Sequence, residues 1–292
     1  MPRPPELSDR AVALKPSLTL EISAKAKALR DSGKDICSLS AGEPDFATPA
    51  FIVEAAQHAL GSGFTRYGPA AGDPDLRAAL AHKLSVENAI PTQPEQVLVT
   101  NGGKQAIYNL FQVLLNPGDE VLLPAPYWLS YPEMAALAGA STKIIPTKAE
   151  EGFRLDLDLL EQQITPRSRL LVINSPGNPS GQVMTRAEME ALAALVARHP
   201  QLMVMSDEIY EYLLADGQQH CSFAAIAEEI RSRCFTVNGF AKGWAMTGWR
   251  LGYLAGDAAV IRAASALQSQ STSNVCSFAP VSYTHLRAHE TR

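Results

Sequence analysis

Short apolar runs alternate with amphipathic stretches along most of this chain. From residue 95 onward, runs rich in Leu, Val and Ile predict strands over 96–100, 120–124, 141–146, 169–174, 202–206, 234–238 and 250–255. Between most of them, apolar residues recur at helical spacing, predicting helices over 104–115, 131–138, 156–164 and 185–198, with another over 257–268. Upstream, 17–30 reads as an Ala/Lys-rich helix, 40–46 as a turn, and 49–60 as a helix with Thr48 as its N-cap. Strands alternating with helices predict an α/β domain. Its sheet is mostly parallel, seven-stranded and covered by helices on both faces. Ligands of such sheets sit beyond the carboxyl ends of the strands.

Composition narrows the function more than the fold. The 292 residues, 46% of them hydrophobic, suffice for one large domain, or one domain plus part of another. A net charge of −5 without a basic stripe argues against nucleic acid as a partner. No apolar run reaches membrane-spanning length, and the start of the chain has no apolar secretory segment. Cys37, Cys221, Cys234 and Cys276 lie far apart without a C-x-x-C pair. They read as reduced, mostly buried thiols of a cytoplasmic protein. The six histidines show no metal-ligand spacing, so no metal is expected.

The candidate chemistry lies at the predicted strand ends. Lys242 follows the 234–238 strand in a Gly-flanked, weakly charged setting, and Arg250 comes eight residues later. A partly desolvated lysine loses its proton readily and forms a Schiff base with an aldehyde. An arginine fork suits a phosphate. Aldehyde and phosphate together describe pyridoxal 5′-phosphate (PLP), although a surface lysine and arginine on ordinary loops give the same local pattern. Gly102 and Gly103 join a strand to a helix whose N-terminus favours an anion, a turn also common without any ligand. Trp128 can cover a heterocycle or simply pack in the core. Asn178, in the Pro/Gly-rich segment 174–181, can donate to a phenolate oxygen or serve a plain turn. Asp207 ends an apolar strand, where a carboxylate is costly unless paired; a pyridinium N–H is one partner and a helix N-terminus another. Tyr210, three residues on, can donate to the same ring oxygen as Asn178. Each motif is ambiguous alone, but together they supply every contact PLP needs.

These strings resemble a fold type I PLP enzyme of the class I aminotransferases, closest to the bacterial aspartate aminotransferase branch, subgroup Ib. The matching segments are 14–17, Ala41-Gly42-Glu43-Pro44-Asp45-Phe46, 102–106, Pro124-Ala125-Pro126-Tyr127-Trp128, 174–181, Ser206-Asp207-Glu208-Ile209-Tyr210 and 245–250, spread from about residue 7 to about 279. The resemblance implies that Lys242 holds the cofactor covalently and shuttles the substrate proton, and that Asp207 holds the pyridine nitrogen. It gives the ring oxygen to Tyr210 and Asn178, the ring face to Trp128, and the phosphate to Gly102, Gly103, Lys104 and Arg250. Tyr67 would reach the phosphate of a neighbouring subunit, implying a homodimer. Gly42, Trp128 and Asn178 would touch substrate, and Lys15 would meet a distal carboxylate. The implied reaction is aspartate with 2-oxoglutarate, with prephenate or aromatic transamination as the alternative. A non-catalytic PLP-fold module is the alternative of another class.

The chain departs from the pattern in places. Ala241, Ser180 and Gly177 stand where many relatives have other residues, and Asp73 occupies a usually apolar position. Residues 1–45 read as an N-terminal arm with part of a small domain, and 46–280 as the large PLP-binding domain. Residues 281–292 read as a non-native tail resembling a translated sequencing adapter. Family members continue for about a hundred residues with a small domain carrying the arginine that grips the substrate α-carboxylate. The expectation is an incomplete small domain, an exposed apolar patch, and a chain of weak or no activity and poor solubility.

Overall fold

The computed structural model describes residues 6–14, 16, 18–38 and 42–281. Lys15 and residues 282–292 lie outside it, as do Ser17 and Ala41. Two helices come first, α1 (Asp9–Ala13) and α2 (Leu18–Asp31), then α3 (Ala50–Gly61) and α4 (Pro74–Val86). The alternating region follows as β1 (Val97–Thr100), α5 (Gly103–Leu114), β2 (Glu120–Pro124), α6 (Ser130–Leu137), β3 (Ser141–Ile145), α7 (Leu157–Gln163) and β4 (Ser168–Asn174). It ends with α8 (Arg186–Ala197), β5 (Met203–Asp207), α9 (Phe223–Ile226), β6 (Cys234–Gly239), β7 (Gly252–Ala255) and α10 (Ala258–Ser271). Every predicted strand is present.

The seven strands form one sheet in the order β1-β7-β6-β5-β4-β2-β3. All neighbouring pairs are parallel except those of β7, which runs antiparallel to both β1 and β6. Apart from the edge strand β3, the sheet is buried on both faces, so strand residues alternate between two cores. Val97, Val99, Leu171, Ile173 and Val204 pack with Leu76, Leu80 and Leu84 of α4 and Leu192 of α8. Leu98, Leu170, Val172, Met205 and Val237 pack with Ile107, Leu110 and Phe111 of α5 and Ile261 of α10. Burial on both faces is why these strands read as continuous apolar runs. Among the described residues, no helix is long and apolar enough to cross a membrane.

Helix starts explain one sequence anomaly and correct one expectation. Asp73 is the N-cap of α4, accepting from the amides of Asp75 and Leu76 at 3.0 Å each, with Pro74 at the first helical position. Thr48 does not cap α3, whose N-cap is Pro49. The Thr48 hydroxyl instead donates to the Ala245 carbonyl (2.6 Å) and accepts from Trp249 Nε1 (3.2 Å), tying the start of α3 to the Lys242–Arg250 loop.

The four cysteines are free, but only Cys234 is buried, its thiol pushed up to about 12 by burial. Cys37 and Cys276 are exposed and Cys221 is half-buried. The expectation of mostly buried thiols fails because Cys37 and Cys276 lie outside the helices and strands that flank the two cores.

Candidate active site

The sheet register brings the candidate motifs to one edge. Thr100 pairs with Gly252, Gly252 with Gly239, Asp207 with Val237, and Asn174 with Asp207. Arg250 precedes its strand, whereas the other motifs follow theirs. Because β7 is antiparallel, its beginning meets the others' ends.

Gly102, with φ +81°, occupies the N-cap position of α5, and no side chain caps the helix. A Cβ at Gly102 would stand 2.7 Å from Arg250 Nη2, so the guanidinium lies directly against the turn. Arg250, in the left-handed region at φ 56°, donates to the carbonyls of Thr247 (3.1 Å) and Asn101 (3.3 Å). It forms no ion pair among the described residues. Burial, and secondarily the Arg250 charge, lowers the pKa of Lys104. Two cations without an acidic partner among the described residues, beside an uncapped helix start, form an anion cradle.

Asp207 is buried at the end of β5. Burial pushes its carboxyl up to about 6 despite hydrogen bonds from Tyr131 and the Ile209 amide. Tyr131 Oη donates to Asp207 Oδ2 at 2.7 Å, and the Ile209 amide donates to Oδ1 at 3.2 Å. Tyr131 also packs edge-on against Trp128, ring centroids 5.3 Å apart, and Lys104 Nζ lies 4.9 Å from the Trp128 centroid. The sequence alone assigns Tyr131 no role. Its helical context signalled only a core aromatic, and its partner lies 76 residues away.

Lys242 is half-buried. Desolvation lowers its pKa first, Glu43 opposes the shift, and Arg250 adds to it. Its amine donates to the Gly42 carbonyl and lies 5.9 Å from the Tyr210 ring centroid. Burial, then the Asp207 charge, pushes the Tyr210 phenol up to about 12 against the opposing effect of the Asn178 side chain. It therefore stays a donor at neutral pH. Asn174 fixes the Asn178 loop: its Nδ2 donates to the Asp207 carbonyl (2.9 Å) and its Oδ1 accepts from the Asn178 amide (2.7 Å). A Cβ at Gly177 would stand 2.9 Å from Ser180 Oγ and 3.2 Å from the Asn174 carbonyl, so a larger residue there requires Ser180 and the loop to shift.

Tyr67 stands apart from this group. It is 92% exposed and lines a cavity of about 320 Å³ with Arg66, Asn274 and Pro280.

A family model for aminotransferase class I and II matches residues 34–291. The chain belongs to this family. It is 51% identical over 271 residues to the bifunctional aspartate aminotransferase and glutamate/aspartate-prephenate aminotransferase of Petunia hybrida, covering 93% of this chain and 56% of that protein. It is 50% identical over 268 residues to the aspartate/prephenate aminotransferase of Thermus thermophilus, covering 92% and 68%. The structure of the Thermus thermophilus aspartate aminotransferase with maleate superposes with a TM-score of 0.94 at 46% identity, covering 98% of this chain and 74% of that one. The chain thus spans little more than half of the Petunia relative's length. As a member of this family it has the PLP-dependent fold, and the cofactor of the family is PLP.

The residues present fit that cofactor. The anion cradle suits the phosphate, and the half-desolvated Lys242 amine suits the aldehyde. The buried Asp207 suits a ring nitrogen that carries a proton.

Proposed function

We propose that this chain serves PLP-dependent transamination of L-aspartate with 2-oxoglutarate, giving oxaloacetate and L-glutamate in two half-reactions. The observation that carries the reading is the meeting of Lys242, Asp207, Tyr210 and Arg250 at one sheet edge, in a chain about half identical to aspartate/prephenate aminotransferases.

When bound, PLP supplies an electron sink for charge developing at the amino acid Cα. Lys242 anchors the cofactor and then, as a free amine, moves the Cα proton. Its lowered pKa keeps more of it in the basic form. Asp207 would hold the pyridine nitrogen and favour its protonated form. The carboxylate is buried, so a cation beside it offsets the cost of its charge. Tyr210 and Asn178 would donate to the ring oxygen, Trp128 would cover the ring, and Gly102, Gly103, Lys104 and Arg250 would hold the phosphate. Gly42, Trp128 and Asn178 border the substrate; Lys15, outside the described residues, is the distal-carboxylate partner. The exposed Tyr67 is assigned to the phosphate of a second subunit in a homodimer working in the cytoplasm.

Prephenate is the second reading, favoured by the names of the Petunia and Thermus relatives. The test is stoichiometric: purified chain loaded with PLP is mixed with L-aspartate, and released oxaloacetate is measured. About one equivalent per chain supports the aspartate reading. PLP binding without oxaloacetate release overturns it for this chain, and repeating the half-reaction with L-glutamate and adding prephenate as acceptor distinguishes the second reading.

A further inference from the structure

Beneath the cleft lies a buried polar network that none of these roles uses. Lys83 of α4 and Glu211 form an ion pair at 2.5 Å, their side chains 3% and 7% exposed. Lys83 also donates to Asn88 Oδ1 (2.7 Å), and Asn88 Nδ2 donates to Glu211 Oε2 (2.9 Å). Asn238 Nδ2, in β6, donates to the other Glu211 oxygen at 2.8 Å, and Asn238 Oδ1 accepts from the Gly239 amide at 2.7 Å. Glu208, Glu211 and His220 bring three metal-capable atoms within 4.8 Å of one another. The Lys83 ammonium already fills the cation's place on Glu211. Ser206, Ser222 and the Phe223 amide donate to Glu208, so both carboxylates are satisfied by protein donors.

A buried ion pair is a weak stabiliser, because desolvating both charges offsets most of their attraction. An apolar pair would fill the same space at similar stability, so the location needs another account. Glu211 directly follows Tyr210, and Asn238 precedes Lys242 by four residues. The ladder between β5 and β6 ends at Asp207 and Val237, with one further bond from the Glu208 amide to the Val237 carbonyl at 2.8 Å. Past that point the Glu211–Asn238 contact is a hydrogen-bonded tie between the segment bearing Tyr210 and the strand leading to Lys242. A second arm runs parallel to it. Lys83 Nζ lies 5.3 Å from the Tyr212 ring centroid, and Tyr212 packs edge-on against Trp244 at 6.0 Å.

We propose that the Lys83–Glu211–Asn238 chain is a positioning device that sets the Tyr210 phenol relative to the Lys242 amine. The inference rests on the reading of those two groups as PLP ligands. Small displacements of such groups cost heavily in function, so the device acts on cofactor handling rather than on global stability.

The test compares wild type, Asn238→Ala and Tyr210→Phe for PLP affinity, the pH midpoint of the bound cofactor's visible band, and the melting temperature of the cofactor-free protein. Asn238→Ala keeps the Lys83–Glu211 pair. It should bind PLP about tenfold more weakly and move the midpoint in the same direction as Tyr210→Phe. The double variant Lys83→Met/Glu211→Leu replaces the pair with apolar groups and covers the case in which Asn238→Ala does not fold; it should move both readouts the same way. Wild-type affinity and midpoint in a folded variant, with only the melting temperature changed, would overturn the proposal. Absence of a visible band in the wild type would instead sink the assignment of Tyr210 and Lys242 as PLP ligands in this chain.

Discussion

Tyr131 donates its phenolic proton to Asp207 Oδ2 across 2.7 Å, from α6 to the end of β5, with both side chains buried. The bond holds the carboxylate's position while opposing the upward pull of burial on its pKa. Replacing Tyr131 with Phe removes the donor and leaves the carboxylate short of one partner in a dry site. The expected cost is about 1–3 kcal/mol of stability at neutral pH, as for other buried charged groups deprived of a donor. Asp207 should titrate above about 6. Denaturant titrations at neutral and acid pH check this; equal stability of the two proteins at neutral pH would contradict it.

Asp207 also gives the cofactor-free protein a signed pH dependence. Its pKa rises from 3.8 to about 6 on folding, so between those values the folded state binds more protons than the unfolded one. Stability from this group is therefore greatest below about pH 4 and declines as pH rises through about 6. A shift of about two units corresponds to about 3 kcal/mol. Asp207→Asn removes the titration, so relative to wild type the variant should gain stability between pH 4 and 7. Parallel denaturation curves for the two proteins across that range would refute the assignment.

Much of this site is readable in the sequence because its parts are local. All strands but the edge strand β3 are apolar runs buried on both faces, and each motif follows or precedes such a run. The sequence alone therefore places Lys242, Asp207, Asn178 and Arg250 at one sheet edge. The parts that were not readable depend on distant partners. Tyr131 looks like any helical core aromatic until Asp207 is beside it. Thr48 has the local signature of an N-cap, but Ala245 and Trp249, about two hundred residues on, take its hydroxyl. Lys83 and Glu211 are 128 residues apart, so neither charge signals that the other will be buried with it. Asp73 is different. The Asp-Pro start, followed by Leu76, Leu80 and Leu84, is a readable helix signature that the strand-and-helix reading passed over.

That cap gives a direct prediction. Asp73→Ala leaves the first-turn amides of α4 without their acceptor and should destabilise the protein by about 1 kcal/mol. Asp73→Asn or Asp73→Ser should restore most of the loss, because either side chain can accept the same two bonds. Melting curves of the three variants decide it, and a stable Asp73→Ala would mean that water replaces the cap at no cost.

The Lys242 amine is poised by opposing charges. Desolvation and Arg250 lower its pKa while Glu43 raises it. Glu43→Gln should therefore move its titration to lower pH, and Arg250→Gln to higher pH. Reductive trapping of PLP on Lys242 with borohydride, followed across pH, reads both directions. The assignment fails if the two variants shift the profile the same way.

The two glycines flanking the anion cradle should respond differently to alanine. At Gly102 the new Cβ meets Arg250 Nη2 at 2.7 Å, the far end of a flexible side chain, and the backbone sits at φ +81°. Strain of about 1–2 kcal/mol is expected, together with a displaced guanidinium. At Gly252 the Cβ would stand 2.5 Å from the Gly103 amide nitrogen and 2.6 Å from the Gly102 carbonyl carbon, both backbone atoms held by α5. Relief there requires β7 to separate from β1, where Gly252 pairs with Thr100. Gly252→Ala should cost more than Gly102→Ala, about 3 kcal/mol or above, as for other clashes that a packed core cannot absorb. Gly102→Ala should fold but bind PLP more weakly, and its affinity for inorganic phosphate should fall in parallel. Denaturation of both variants, with phosphate binding to the first, separates a loss confined to the cradle from a loss of the sheet that builds it. A Gly252→Ala protein as stable as Gly102→Ala would mean that β7 yields more easily than its pairing on both sides implies.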